Sequence, residues 1–445
     1  MTNHTGILVI GGGPSGLQAA LAAAGQGKHV TLVSDTPPGG RAAWQTLLPS
    51  KMWLQAGWKR APSSLADMRA RYEAVAGTWQ RQIMLDLERA GVEIVLGTAV
   101  FTGPHEVEIR PPEGGYGEPL TADTIIIAVG AVPYAPPGLQ PDGERVFSPH
   151  LIWKLRELPA SMVVIGAGGP ATEYVDAFSR LGVRITWVTG PTSVLSAFPM
   201  DAGQFISQVM QRRGVRVVSG ILAREIERLD INGKPCVSVQ AVNGAAFEAD
   251  IAFVAIGLRP DLERLNLAAA GLKVGSSGGM ATDPYYRTSL PHIYLVGDAA
   301  SPLSANISIA QGRLAGWHAA GLEVQPLRLE NAVMAIYTDP QVAMVGRMSD
   351  RTEMLHKVRV PFNACLRAHL MPKPISEEEA GFLEVAYDSE RRITGALAVC
   401  PEAAEVLAPL AVAIRGGMTI DSLGDVYPAH PTFSELAILA ARMAK

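Results

Sequence analysis

Two short glycine patterns are the residues in this chain best suited to holding a reactive cofactor. Gly11-x-Gly13-x-x-Gly16 follows the apolar run ILVI and opens an alanine-rich stretch, and Gly166-x-Gly168-x-x-Ala171 follows MVVI 155 positions later. A buried strand, a tight glycine turn and a helix in that order bring backbone N–H groups and the positive end of a helix dipole to one point, which suits the pyrophosphate of a dinucleotide. In each copy the first glycine permits the turn, the second lets phosphate approach the backbone, and the third small residue lets the helix pack on its strand. Two copies imply two dinucleotides.

The acidic residue that holds the ribose hydroxyls, normally about 20 positions on, is irregular in both copies. After the first, the strand HVTLV ends at Ser34-Asp35, so Asp35 or the Ser34 hydroxyl takes that role. After the second, RITWV runs into Thr189, Gly190 and Pro191. No carboxylate there favours NADH, and no Arg or Lys between Arg184 and Arg212 offers a grip on a 2′-phosphate. Either NADH or NADPH fits this pattern.

The elements that must carry these loops fit a chain of 445 residues, long enough for about three domains. Hydrophobic content of 48% with 18% charged residues indicates a globular enzyme. A net charge of -4 without any basic run excludes a nucleic-acid surface. Gly6 to Gly27 is uncharged, but no Lys or Arg precedes it and five glycines and Pro14 interrupt it, so it reads as a phosphate loop and neither a leader nor an integral membrane segment. Cys236, Cys365 and Cys400 are far apart and read as reduced cytoplasmic thiols, and no metal site is expected. Glu377 to Glu379 reads as a solvated loop. Four of the seven tryptophans, Trp44, Trp53, Trp58 and Trp79, fall within one short stretch.

The chain resembles the pyridine nucleotide-disulfide oxidoreductase family, related to dihydrolipoamide dehydrogenase, glutathione reductase and soluble transhydrogenase. Besides both fingerprints, the likeness rests on TIIIAVGAVP around Gly130, IAFVAIGLRPD around Gly257, TSLPHIYLVGDAA around Asp298 and AHPTFSE from Ala429 to Glu435. It implies an α/β protein with two Rossmann-like dinucleotide-binding domains, for FAD and NAD(P), and a C-terminal α+β dimerisation domain. The expected limits are 1–148 with 262–330 for FAD, 149–261 for NAD(P) and 331–445 for the interface of a homodimer. Asp298 would bind the ribityl chain, and the helix opening near Ala305 would turn its positive end to the flavin pyrimidine. Gly40 and Gly130 join the first cofactor site, and Thr189 and Gly257 the second.

The same resemblance exposes a loss. The family's G-G-x-C-x(4)-C-x-P-S-K motif aligns with GGRAAWQTLLPSK, Gly39 to Lys51, where Ala42 and Leu47 replace the two redox cysteines. Neither can form a thiolate or a mixed disulfide, so disulfide relay is excluded at this site. Lys51 and Glu173 remain, which in the family form an ion pair beside flavin N5, and His430 and Glu435 remain as a base and its orienter. The lid tyrosine of the second fingerprint is Gly169, which predicts a more open flavin face. Ala42 and Leu47 would form an apolar floor, with Trp44 the tryptophan best placed to line the pocket. The resulting expectation is an FAD-dependent, thiol-independent NAD(P)H dehydrogenase whose small-molecule electron acceptor is a quinone or similar carrier. Alternatives are NAD(P) transhydrogenation and a flavoprotein subunit serving a protein redox partner.

Overall fold

The computed structural model describes residues 3–59, 64–231, 233–276, 278–301, 304–350, 352, 354–371 and 380–444, so Glu377 to Glu379 lie outside the described residues. Helices named below are α1 (Pro14–Ala24), α2 (Leu48–Lys59), α3 (Leu65–Arg89), α4 (Gly169–Arg180), α5 (Met200–Arg212) and α6 (Ala305–Ala319).

The first sheet is built around Asn3–Ile10, parallel to Val30–Ser34 on one side and to Glu118–Ile127 on the other. Ile7 to Ile10 are buried from both faces, the continuous apolar run expected of a central parallel strand. Glu93–Leu96 extends one edge in parallel, and the hairpin Thr98–Gly103 with Glu106–Arg110 extends the other. Ile293–Leu295, from much later in the chain, also pairs parallel with Glu118–Ile127. The second sheet is wholly parallel, in the order Arg216–Ser219, Arg184–Thr189, Ser161–Ile165, Ile251–Val254, Val146–Phe147. A three-stranded meander from Ala223 to Ala249 adjoins it. The C-terminal sheet is antiparallel, running Met334–Ile336, Gln341–Gly346, Ile393–Cys400, Phe382–Tyr387, His356–Pro361. Its core includes Cys365 and Cys400, whose thiols burial pushes up in pKa, so neither is a ready thiolate.

Local sequence explains the segment where the thiols are missing. Ala42–Leu47 is a π-turn that runs straight into α2, with the Leu48 N–H bonding to Ala43 O five residues back. Two features favour that register. The Thr46 hydroxyl donates to Ala42 O at 2.8 Å, occupying a carbonyl that an α-helical ladder would use, and Pro49 has no N–H to give. Among the described residues no helix is long and apolar enough to cross a membrane.

Candidate active site

One cavity of about 1490 Å³ collects nearly all of the residues singled out above. Gly11, Gly13, Asp35, Gly40, Lys51, Gly130, Asp298 and Ala305 line it, as do Gly166, Gly168, Glu173 and Gly257. Ala42 and Leu47 form part of the wall next to Ser50 and Lys51, giving the apolar surface expected of them. Gly16 and Ala171 lie behind it, where each packs its helix on the preceding strand; a methyl group on Gly16 would collide with Gly11 O.

The first glycine loop fits a dinucleotide. A Cβ on Gly13 would meet no atom within 4 Å, so the backbone there faces open cavity, and Gly13 caps α1 without using any side chain on the first-turn N–H groups. Gly39 N donates to Gly12 O at 2.8 Å, and a Cβ on Gly40 would lie 2.6 Å from Gly13 Cα, so a second glycine pair is pressed against the loop. Ser34 is not available to a ribose: its hydroxyl accepts from Gly12 N at 3.1 Å and donates to Thr36 O at 2.7 Å. Asp35 is the remaining candidate, and its carboxylate reaches the cavity while pairing with Arg264 at 2.9 Å. The Thr189 hydroxyl is likewise committed, donating to Pro191 O at 2.8 Å in a buried position.

Lys51 and Glu173 meet at 2.9 Å, bringing α2 and α4 together across 122 residues of sequence. Both Glu173 oxygens accept from Lys51 Nζ, and Oε1 also accepts the Tyr337 N–H at 3.0 Å. The ammonium lies 4.4 Å from the Tyr337 ring centre, and burial first, then Glu405 and Glu173, push the phenol upward so that it stays neutral. One α4 turn further on, Asp176 holds Arg180, Arg213 and the Asp339 N–H. The two carboxylates thus clamp the 337–339 segment of the C-terminal domain onto the helix that carries Glu173.

Two expectations need correction. Trp44 does not line the cavity: its ring lies against Gly39 and its Nε1 points to Pro37 O at 3.4 Å. Trp53 is core, stacked on Phe178, whereas Trp58 and Trp79 are exposed. Nor is the space beside Gly169 empty, because Ile336 fills the place a side chain would take and narrows the cavity there. A Cβ at position 169 would lie 2.5 Å from Ile336 Cδ1.

Sequence patterns missed Arg41, His150, Asp261 and Arg264, all cavity residues. Arg41 pairs with Asp261 at 2.7 Å, which Arg264 also contacts at 3.1 Å. Burial and the nearby Arg41 cation hold the His150 imidazole down to about 4. An unfolded histidine takes up its proton near 6.5, so the folded state loses stability from this group as pH falls from about 6.5 to about 4. The urea midpoint of the FAD-free chain is therefore expected to fall over that interval, with a shallower slope in His150→Asn; an equal slope would show that the imidazole titrates alike in both states.

His430 and Glu435 form a dyad at 2.7 Å between Nδ1 and Oε2. The imidazole is largely exposed and the carboxylate buried, with Oε1 lacking any partner among the described residues. Neither residue lines the cavity of its own chain.

A sequence profile described as pyridine nucleotide-disulphide oxidoreductase matches residues 5–323, and that of the family's dimerisation domain matches residues 332–441. The chain belongs to the pyridine nucleotide-disulphide oxidoreductase family. An NAD(P)H dehydrogenase (quinone) of Mycobacterium tuberculosis is 30% identical over 475 residues, covering 98% of this chain and 93% of the relative. Dihydrolipoyl dehydrogenase 2 of Haloarcula marismortui is 30% identical over 468 residues, covering 100% and 98%. The crystal structure of LpdA from Mycobacterium tuberculosis superimposes with a TM-score of 0.91 at 28% identity, covering 100% of each chain. This family member is accordingly an NAD(P)H-linked flavoprotein oxidoreductase that uses FAD and carries a dimerisation domain.

Proposed function

We propose that this protein is a thiol-independent NAD(P)H dehydrogenase that delivers electrons to a quinone or similar flat carrier, acting as a cytoplasmic homodimer. The observation that carries the reading is the wall formed by Ala42 and Leu47, apolar where the family has thiols, beside an intact Lys51–Glu173 pair. The quinone dehydrogenase name of a full-length relative supports the same acceptor class. Residues 1–148 and 262–330 would hold FAD, 149–261 the nicotinamide nucleotide, and 331–445 the dimer contact.

When bound, FAD would supply the two-electron redox chemistry between NAD(P)H and the acceptor. The protein's part is electrostatic and geometric. Gly11, Gly13 and the α1 N-terminus would hold phosphate, Asp35 the ribose, and Asp298 with the α6 N-terminus the far end of the same cofactor. Lys51 keeps a positive charge in the cavity at the cost of one carboxylate, so the field is available where negative charge builds up. His430, which in the resembled family reaches the other subunit's site, would donate a proton to the reduced acceptor there, its tautomer set by the carboxylate behind it.

Anaerobic titration with NADH and NADPH is expected to bleach the flavin at about two electrons per FAD, since no disulfide can add a further pair. His430→Ala should leave that reduction unchanged and lower turnover with a water-soluble quinone about a hundredfold. Unchanged quinone turnover across pH would remove His430 from the mechanism. Slow turnover with every free quinone would favour a protein acceptor. Ile336 weakens one of the grounds for transhydrogenation, the missing lid at Gly169, but not the unselective ribose site; reduction of a nicotinamide analogue would favour that reading.

A further inference from the structure

We propose that Arg41 is a second anchor for the FAD pyrophosphate, acting beside the glycine loop. The inference rests on the assignment of the first loop to FAD and is independent of the acceptor. Arg41 follows Gly40 directly, and Gly40 is packed on Gly13, the point where the loop backbone faces open cavity. Its side chain is mostly buried and lines the same cavity.

The guanidinium is oriented but not used up. Nη2 donates to Val129 O at 2.8 Å and lies 2.7 Å from Asp261 Oδ2 as an ion pair. Nη1 and Nε carry three further N–H groups with no partner among the described residues, in the planar fork that suits two oxygens of one anion. Asp261 does not cancel the charge by itself, because the same oxygen also serves Arg264. Lys51 is a weaker candidate, since its ammonium gives two bonds to Glu173. His150, a cavity residue close enough to Arg41 to feel its charge, adds a buried Nδ1 with no partner among the described residues, a further polar atom that a phosphate oxygen or its water would satisfy. Asp261 thus acts as a positioning residue: it fixes the fork before the cofactor arrives and lowers the cost of ordering a long side chain on binding.

The test is reconstitution of the FAD-free full-length protein, following flavin fluorescence during titration with FAD at low and high sodium chloride. Arg41→Ala is expected to weaken FAD binding about ten- to a hundredfold at low salt, the range for a charged hydrogen-bonded contact, and to flatten the salt dependence. Arg41→Lys should recover part of the affinity but not all of it, since an ammonium lacks the fork. Asp261→Asn removes the positioning charge but leaves the guanidinium in place, so it should weaken FAD binding by less than Arg41→Ala does. Parent-like affinity and salt dependence in Arg41→Ala would overturn the proposal. So would equal losses in Arg41→Ala and Asp261→Asn, because the ion pair would then be only a structural tie. A parent protein that binds NADH or NADPH but no FAD would refute the cofactor assignment itself, a result distinct from either.

Discussion

Replacing Glu173 with leucine will remove the charge pair from the cavity and most of the rate of reduction by NAD(P)H. The carboxylate is 8% exposed and accepts three hydrogen bonds, two from Lys51 and one from the Tyr337 N–H. Without it, a partly buried ammonium has no counter-charge and a backbone donor has no acceptor. Breaking a fully buried pair costs about 3–5 kcal/mol, and because Lys51 keeps 34% of its side chain in solvent the expected loss here is about 2 kcal/mol. Glu173→Gln separates the two roles. Its amide oxygen can still take the Tyr337 N–H, so part of the stability returns, but the negative charge that holds Lys51 in place does not. Both variants are expected to be reduced about a hundredfold more slowly, the scale seen when one preorganised electrostatic group is lost. Stopped-flow bleaching and urea midpoints read the two effects separately. Parent-like reduction of Glu173→Gln would confine this residue to holding the 337–339 segment.

The features legible in the sequence are those written into short stretches of it. Each glycine loop needs only a strand, a turn and a helix in succession, and His430 lies five residues from Glu435. The Lys51–Glu173 pair spans 122 residues, and only the family resemblance brought its two ends together. Where neither local pattern nor resemblance existed, the sequence was silent. Arg41 and Asp261 are 220 positions apart, and nothing near either one announces the other. Ile336 fills the space over Gly169 although it belongs to the C-terminal sheet, so a missing side chain in one domain is compensated from another. Trp44 shows a different limit. It lies between two cavity residues, Ala42 and Leu47, yet the π-turn carries its indole away toward Pro37 and Gly39, and direction around a helix cannot be read from proximity along the chain. The strand end offers either Asp35 or Ser34 to the ribose, but the buried Gly12 N–H needs an acceptor and Ser34 supplies it, which favours Asp35.

Restoring both cysteines, as Ala42→Cys with Leu47→Cys, is expected to restore a disulfide. The two positions are five apart within one π-turn, whose hydrogen bonds join residues five apart, so their side chains are stacked on neighbouring turns and both face the cavity. Thr46 and Pro49, the residues that favour this register, are untouched by the substitutions. The parent chain has three thiols, Cys236, Cys365 and Cys400, all free. Denatured in air, the double variant should therefore also show about three titratable thiols, and after reduction about five, the difference being the new pair. Anaerobic titration should take up about four electrons per FAD in place of about two, because a disulfide within reach of the flavin stores one further pair. Cys365 and Cys400 will not confuse the electron uptake of the folded protein, since burial there holds both in the thiol form and away from exchange. Five thiols in air would show that the segment no longer keeps positions 42 and 47 in register. Three thiols with uptake still at two electrons would show a disulfide cut off from the flavin. Uptake of four electrons would mean that the site has lost its thiols and kept the geometry that served them, which accounts for an apolar wall so close to an intact Lys51–Glu173 pair.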